Sequence, residues 1–291
     1  LKISSPAITG QAGSIEFYEL TVTQALSKLP NISAAAPTGN SGDPSVNAIL
    51  GGTWWHTPGV IPSTDANLVI HGVLPSSANS NGQSQGLVGL SAASSRHTLT
   101  YSFLTTAPSG EDGTGFQAMT AAQKTATKAA LSYISSLINV TFTEGNTPGQ
   151  ADINFGTNNQ SSSRSAGYAN PPYQGGNHPS YLMLANDQST NNDLSKGTYG
   201  WETLIHEIGH TLGLKHPGNY NAGGGGASGP YLNTATDNTR YSIMSYNDIS
   251  DGSIAVSLGS NKYSSKKLSD TTFMLYDIEA CLLYTSPSPR D

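Results

Sequence analysis

Residues 206–216 read HEIGHTLGLKH, which places His206, His210 and His216 at fixed spacing, with Glu207 beside the first and Gly213 between the second and third. Neutral imidazole nitrogens are good zinc ligands, and two of them at i and i+4 lie one turn apart on one side of a helix. Gly213 supplies the left-handed conformation that ends a helix, and Pro217 holds His216 extended, so a third imidazole can return to the same ion. Glu207 projects to one side of these ligands, where a carboxylate is placed to take a proton from a metal-bound water. Zinc lowers the pKa of such a water from about 15.7 to about 7, which makes it a nucleophile near neutrality. A zinc used only for folding takes four protein ligands in a closed site. Three histidines and an adjacent carboxylate leave one position open, so the pattern points to hydrolysis.

A helix must carry the first two histidines. Between Tyr199 and Leu212 the apolar residues Trp201, Ile205, Ile208 and Leu212 recur at helical spacing and form a buried stripe, with His206 and His210 on a different face. Upstream, TLTYSFLT (98–105) alternates like a strand. Thr120 and Gln123 form a capping box that opens a second helix, whose apolar face is Ala126, Ala130, Tyr133, Ile134, Leu137 and Ile138. NVTFTEG, ADINFGT and SYLMLAN (180–186) read as further strands, and a last helix is predicted from Leu268 to Ala280. A strand, a crossover helix and more strands predict an α/β (α+β) fold, with a sheet packed on helices. NSGDPSVNAILGGTWW (40–55) has the turn residues of a domain start, with Trp54 and Trp55 as core anchors. The predicted division is therefore a segment 1–39 of open role and a catalytic domain 40–280, with a low-complexity surface insertion at 75–97.

The stretch from His206 to His216 fits H-E-x-x-H-x-x-G-x-x-H, and by this pattern the chain resembles the metzincin zinc endopeptidases. YSIMSYND (241–248) is similar to that clan's Met-turn. Within the clan, TYGWETLIHEIGHTLGLKHPGNYNAG, SIMSY and MLYDIEA are most similar to the serralysins, which are secreted bacterial proteases. The resemblance spans about residues 40–280 and is strongest from Thr198 onward. It implies a twisted mixed sheet with two long helices, an active-site helix, a Met-turn and a C-terminal helix. It implies Zn2+ on His206, His210 and His216, Glu207 as general base, and Gly213 and Met244 as structural residues of the site, with Met244 beneath the metal. Tyr246 is implied as a further zinc ligand at rest that swings away to hydrogen-bond the tetrahedral intermediate, a role that suits a phenol in a water-poor cleft. Protein or peptide substrates are implied to add as a strand to the cleft-lining sheet edge. That edge is expected to be SYLMLAN, with the backbone of Tyr181, Leu182, Met183, Leu184 and Ala185 pairing with the peptide.

Two features depart from the serralysin pattern. No calcium-binding repeat of the G-G-x-G-x-D type is present, so Ca2+ is expected only in a part of the protein beyond Ala280, and AGGGGASG (222–229) reads as a flexible loop beside the cleft. The region from Trp55 to Thr98 is longer than in compact members, and nothing in it suggests a function. No cysteine precedes His206, so the cysteine latency device of matrixins is absent.

Composition narrows the partners. Charged residues make up 11% of the chain and the net charge is -6, so there is no basic stripe for nucleic acid. No run of about 18 apolar residues is present, which excludes a membrane-spanning helix. The only cysteine, Cys281, rules out an intrachain disulfide, and an abundance of Ser, Thr, Asn and Gly suits a loop-rich extracellular bacterial protein; the serralysin resemblance implies secretion, and a monomer is expected. CLLYTSPSPRD (281–291) shares no periodicity with what precedes it and equals one reading frame of a transposase sequencing adapter, so it is expected to be an artefact of read-through. His56, His71, His97 and His178 lack ligand spacing, and Asp251 and Asp270 read as surface carboxylates. Two other readings stay open. One is a metzincin of another subfamily, which NDIS after the Met-turn does not separate. The other is a non-enzymatic, zinc-stabilised module of a large secreted adhesin, against which the intact Glu207 argues.

Overall fold

A computed structural model describes residues 43–51, 53–54, 72–73, 97–172, 179–222, 226, 228–249, 253–259 and 262–285. The expectations for segment 1–39, Trp55, the stretch 75–96, His56, His71, His178 and Asp251 fall outside these residues. In chain order the elements begin with helix α1 (Pro44–Ile49) and two short antiparallel strands, β1 (Thr53–Trp54) and β2 (Gly72–Val73). Then follow β3 (His97–Phe103), helix α2 (Ala121–Leu137), β4 (Val140–Glu144), β5 (Ile153–Asn158), β6 (Gly167–Ala169) and β7 (Ser180–Ala185). A 3-10 turn (Ser189–Asn192) leads into helix α3 (Tyr199–Thr211), and the chain continues through the hairpin of β8 (Ser253–Gly259) and β9 (Lys262–Lys267) to helix α4 (Leu275–Thr285).

The central sheet has the order β4-β3-β5-β7-β6, with β6 antiparallel to β7 and every other pair parallel. It is the mixed α/β arrangement expected of a metzincin-like fold. β5 is buried at every position, as a strand flanked on both edges and covered on both faces must be. The capping box at Thr120 forms in both directions, with Gln123 N–H on Thr120 Oγ1 at 3.2 Å and Thr120 N–H on Gln123 Oε1 at 2.9 Å. Buried residues of α2 (Leu131, Ile134), of the sheet (Leu99, Phe155, Leu182, Leu184) and of α3 (Trp201, Leu204, Ile208) join in one core. The indole N–H of Trp201 donates to the carbonyl of Thr271 at 3.0 Å, so the polar tip of this large anchor stays satisfied in the core.

Two expectations need correction. Strand β7 is not a sheet edge: β5 pairs along its full length on one side and β6 on the other. Tyr181 O accepts from Asn170 N–H and Ala185 N–H donates to Ala166 O, so the Tyr181–Ala185 backbone has no free edge to offer a peptide. Among the described residues the edge on that side is β6, a three-residue strand too short and too glycine-rich to stand out by periodicity. The last helix begins at Leu275, not Leu268, because the Asp277 carboxylate accepts the Met274 N–H at 2.9 Å and caps it there. It also runs past Ala280, since Cys281 and Leu282 are apolar enough to be buried whatever their origin.

Candidate metal centre

Helix α3 starts at Thr198, whose hydroxyl accepts the Trp201 N–H at 3.2 Å. It stops where Gly213 takes φ of 90° and Leu214 N–H returns to Gly209 O at 3.0 Å. The turn sends the chain back, Lys215 N–H bonds to Ile49 O at 2.8 Å, and the next residue is His216.

The three imidazoles meet as the spacing requires. His216 Nε2 lies 3.1 Å from Nε2 of His206 and 3.1 Å from Nε2 of His210. Each Nδ1 is turned to an oxygen: His206 to Ile243 O at 2.8 Å, His210 to Leu214 O at 2.9 Å, and His216 to Asn221 Oδ1 at 2.6 Å and Tyr220 O at 3.0 Å. Carbonyl oxygens only accept, so each Nδ1 carries the proton and each Nε2 presents a lone pair. Three lone pairs converging without a hydrogen between them repel one another unless a cation draws them in. Tetrahedral zinc with nitrogens at about 2.0–2.1 Å sets them about 3.4 Å apart, close to what is seen, so the donor set fits zinc. Burial, then repulsion from its neighbours, holds His206 down to about 3 and His210 well below its ordinary value, and burial lowers His216 too. In all three the shift favours the neutral form, which is the form that binds metal.

Glu207 is 6% exposed, and its Oε2 has no hydrogen-bond partner. Burial pushes its carboxyl up to about 8. A buried carboxyl oxygen without a partner, on the residue next to His206, is costly to keep, and such groups gather at functional sites. Edge strand β6 passes over it, for a Cβ built on Gly167 would lie 3.0 Å from Glu207 Cγ.

Beneath the helix, Met244 is fully buried, and a Cβ on Gly209 would come within 2.6 Å of its Sδ. Met244, expected beneath the metal, therefore packs against the helix that carries His206 and His210. The need for glycine at 209 was not foreseen, because i and i+4 periodicity says nothing of what packs across a helix. Tyr246 is half exposed, with its ring 4.5 Å from that of His216 and 5.8 Å from that of His206. Burial, followed by the charge of Glu207, raises its phenol to about 12.

Among the described residues these histidines are the only cluster of three or more His, Cys, Asp or Glu side chains positioned to hold a metal ion. No helix among those residues is long and apolar enough to cross a membrane.

Residues 76–257 match the family model Reprolysin_5, described as metallo-peptidase family M12. Curated relatives agree. The chain is 40% identical over 157 residues to metallopeptidase AprA of Pseudomonas marginalis, covering 51% of this chain and 32% of that protein. It is 37% identical over 180 residues to metalloprotease AprA of Pseudomonas entomophila, covering 60% of this chain and 37% of that protein. With serralysin C of Dickeya chrysanthemi it shares 40% identity over 153 residues, or 51% of this chain and 32% of the relative. The matched stretch thus spans about a third of each of these relatives.

Proposed function

The chain belongs to metallo-peptidase family M12, and from that premise we propose that it is the catalytic domain of a zinc-dependent endopeptidase of serralysin type, acting on protein or peptide substrates outside a bacterial cell. The observation that carries this reading is the pairing of three converging Nε2 lone pairs with the unpartnered Oε2 of Glu207. His206, His210 and His216 would hold the ion, which when bound supplies Lewis acidity to a water and to a peptide carbonyl.

The remaining chemistry belongs to the chain. Glu207 takes a proton from the attacking water and returns it to the leaving amine, from a buried position next to the first histidine. Tyr246 reaches the oxyanion that forms at the scissile carbonyl, donating a hydrogen bond that the ground state does not receive. A peptide adds as a strand to β6. Ala166 and Asn170 bond to β7, so in the alternating antiparallel pattern Gly167 and Ala169 direct their backbone groups to the other side, where the Gly167 carbonyl already accepts the Ser165 hydroxyl and the remaining groups face the incoming strand.

A casein gel with and without chelator tests this reading. Clearing that chelator abolishes and zinc restores is expected. No clearing in either lane would instead favour a zinc-stabilised binding module.

A further inference from the structure

Resting on the reading of Tyr246 just given, we propose that Tyr220 is its positioning residue, a platform whose stacked ring and anchored hydroxyl fix where the Tyr246 phenol lies over the histidines. The two rings stack with centroids 4.8 Å apart and planes 24° from parallel. Tyr220 also grips the backbone: its hydroxyl accepts the Tyr246 N–H at 3.4 Å and donates to Asp237 Oδ1 at 2.6 Å. Ser245, the residue before Tyr246, donates its own hydroxyl to the same Asp237 oxygen at 2.7 Å. The Tyr246 hydroxyl also meets the backbone of Ala222, and the stack adds a second hold that narrows the rotamers a half-exposed phenol would sample on every turnover.

The fold builds the platform deliberately close to the metal ligands. A Cβ on Gly218 would fall 2.1 Å from Tyr220 Cε1, so only glycine there lets the ring fold back beneath Tyr246. The carbonyl of Tyr220 accepts from His216 Nδ1 at 3.0 Å, and the two rings lie 5.8 Å apart. One residue thus touches both the third histidine and the phenol that works beside it. A phenol that moves between a resting and a working position slides across the Tyr220 face and does not swing free in solvent.

Fluorotyrosine placed at position 246 of the zinc-loaded protein reports this hold by 19F NMR. One narrow line is expected with Tyr220 present, a broadened or doubled line in Tyr220→Leu, and an intermediate line in Tyr220→Phe, which keeps the stack and loses the anchors. Unchanged lines in both variants would overturn the proposal. Kinetics supplies a second readout: Tyr220→Phe should lower kcat about tenfold with KM unchanged, and the loss should vanish in a Tyr246→Phe background. Additive losses, or zinc content that falls with activity, would show that Tyr220 acts through His216 and overturn it too. Should Tyr246→Phe alone keep full activity, the catalytic role given to Tyr246 fails, while the 19F lines still decide whether Tyr220 holds it.

Discussion

The carbonyl oxygen of Ile243 lies 2.8 Å from Nδ1 of His206, so the turn before Met244 dictates the tautomer of the first of the three clustered histidines. That peptide is held in turn by helix α4. Asp277 accepts the Ile243 N–H at 2.7 Å and the Ser242 hydroxyl at 2.6 Å, besides capping its own helix. Asp277→Leu would leave two buried donors without an acceptor, at about 1–3 kcal/mol each, and would uncap the half-buried Met274 N–H. The expected outcome is a large fall in melting temperature and a 10–100-fold loss of zinc affinity, measured by competitive chelation. Unaltered zinc affinity would mean that the turn holds His206 without help from α4.

Gly209 tests the underside of the same helix. Its missing Cβ leaves room for the Met244 sulfur, which a methyl group would meet at 2.6 Å. Gly209→Ala should therefore destabilise the fold by about 1–3 kcal/mol through overpacking. Denaturant unfolding checks this, and combining it with Met244→Ala should recover part of the loss.

The histidine cluster was legible in the sequence because its geometry is local: His206, His210 and His216 are set by one helix and the turn at Gly213 that ends it. Helix α2 was equally legible, since a capping box and an apolar face are both short-range signals. The edge strand was not. SYLMLAN is apolar enough to look like an important strand, but apolarity marks an interior position, and the true edge, Gly167–Ala169, is three residues of weak pattern. Gly209, Gly167 and Asp277 escaped for a related reason, as each is required by a partner distant in the chain. The start of α4 was misplaced because Asp277, a residue inside the expected helix, serves as its cap.

Gly167 separates positioning of the base from binding of the metal. A Cβ there would lie 3.0 Å from Glu207 Cγ and 3.1 Å from Thr203 Cγ2, so Gly167→Ala must push the edge strand or the carboxylate aside. A fall in kcat of about tenfold to a hundredfold is expected, with zinc content unchanged. Full activity would show that β6 does not constrain Glu207.

Acid should empty the site and loosen the fold together. An unfolded histidine takes its proton near 6.5, whereas burial holds folded His206 down to about 3, with His210 and His216 also lowered. The unfolded chain therefore binds more protons in that window, so the histidines' contribution is intact above pH 6.5 and lost as the pH falls toward 3. Glu207 runs the other way in chelated protein: its folded value of about 8 exceeds the ordinary 4.5, so stability declines as pH rises between them. Calorimetry across pH with chelator should show both slopes, and Glu207→Gln should remove only the second.

The most direct test of the central claim is kcat/KM for peptide cleavage by zinc-loaded Glu207→Gln, with zinc measured on the same sample. Full zinc occupancy and a loss of about 10²–10⁴-fold are predicted. Undiminished cleavage by that variant would contradict the assignment of Glu207 as the base.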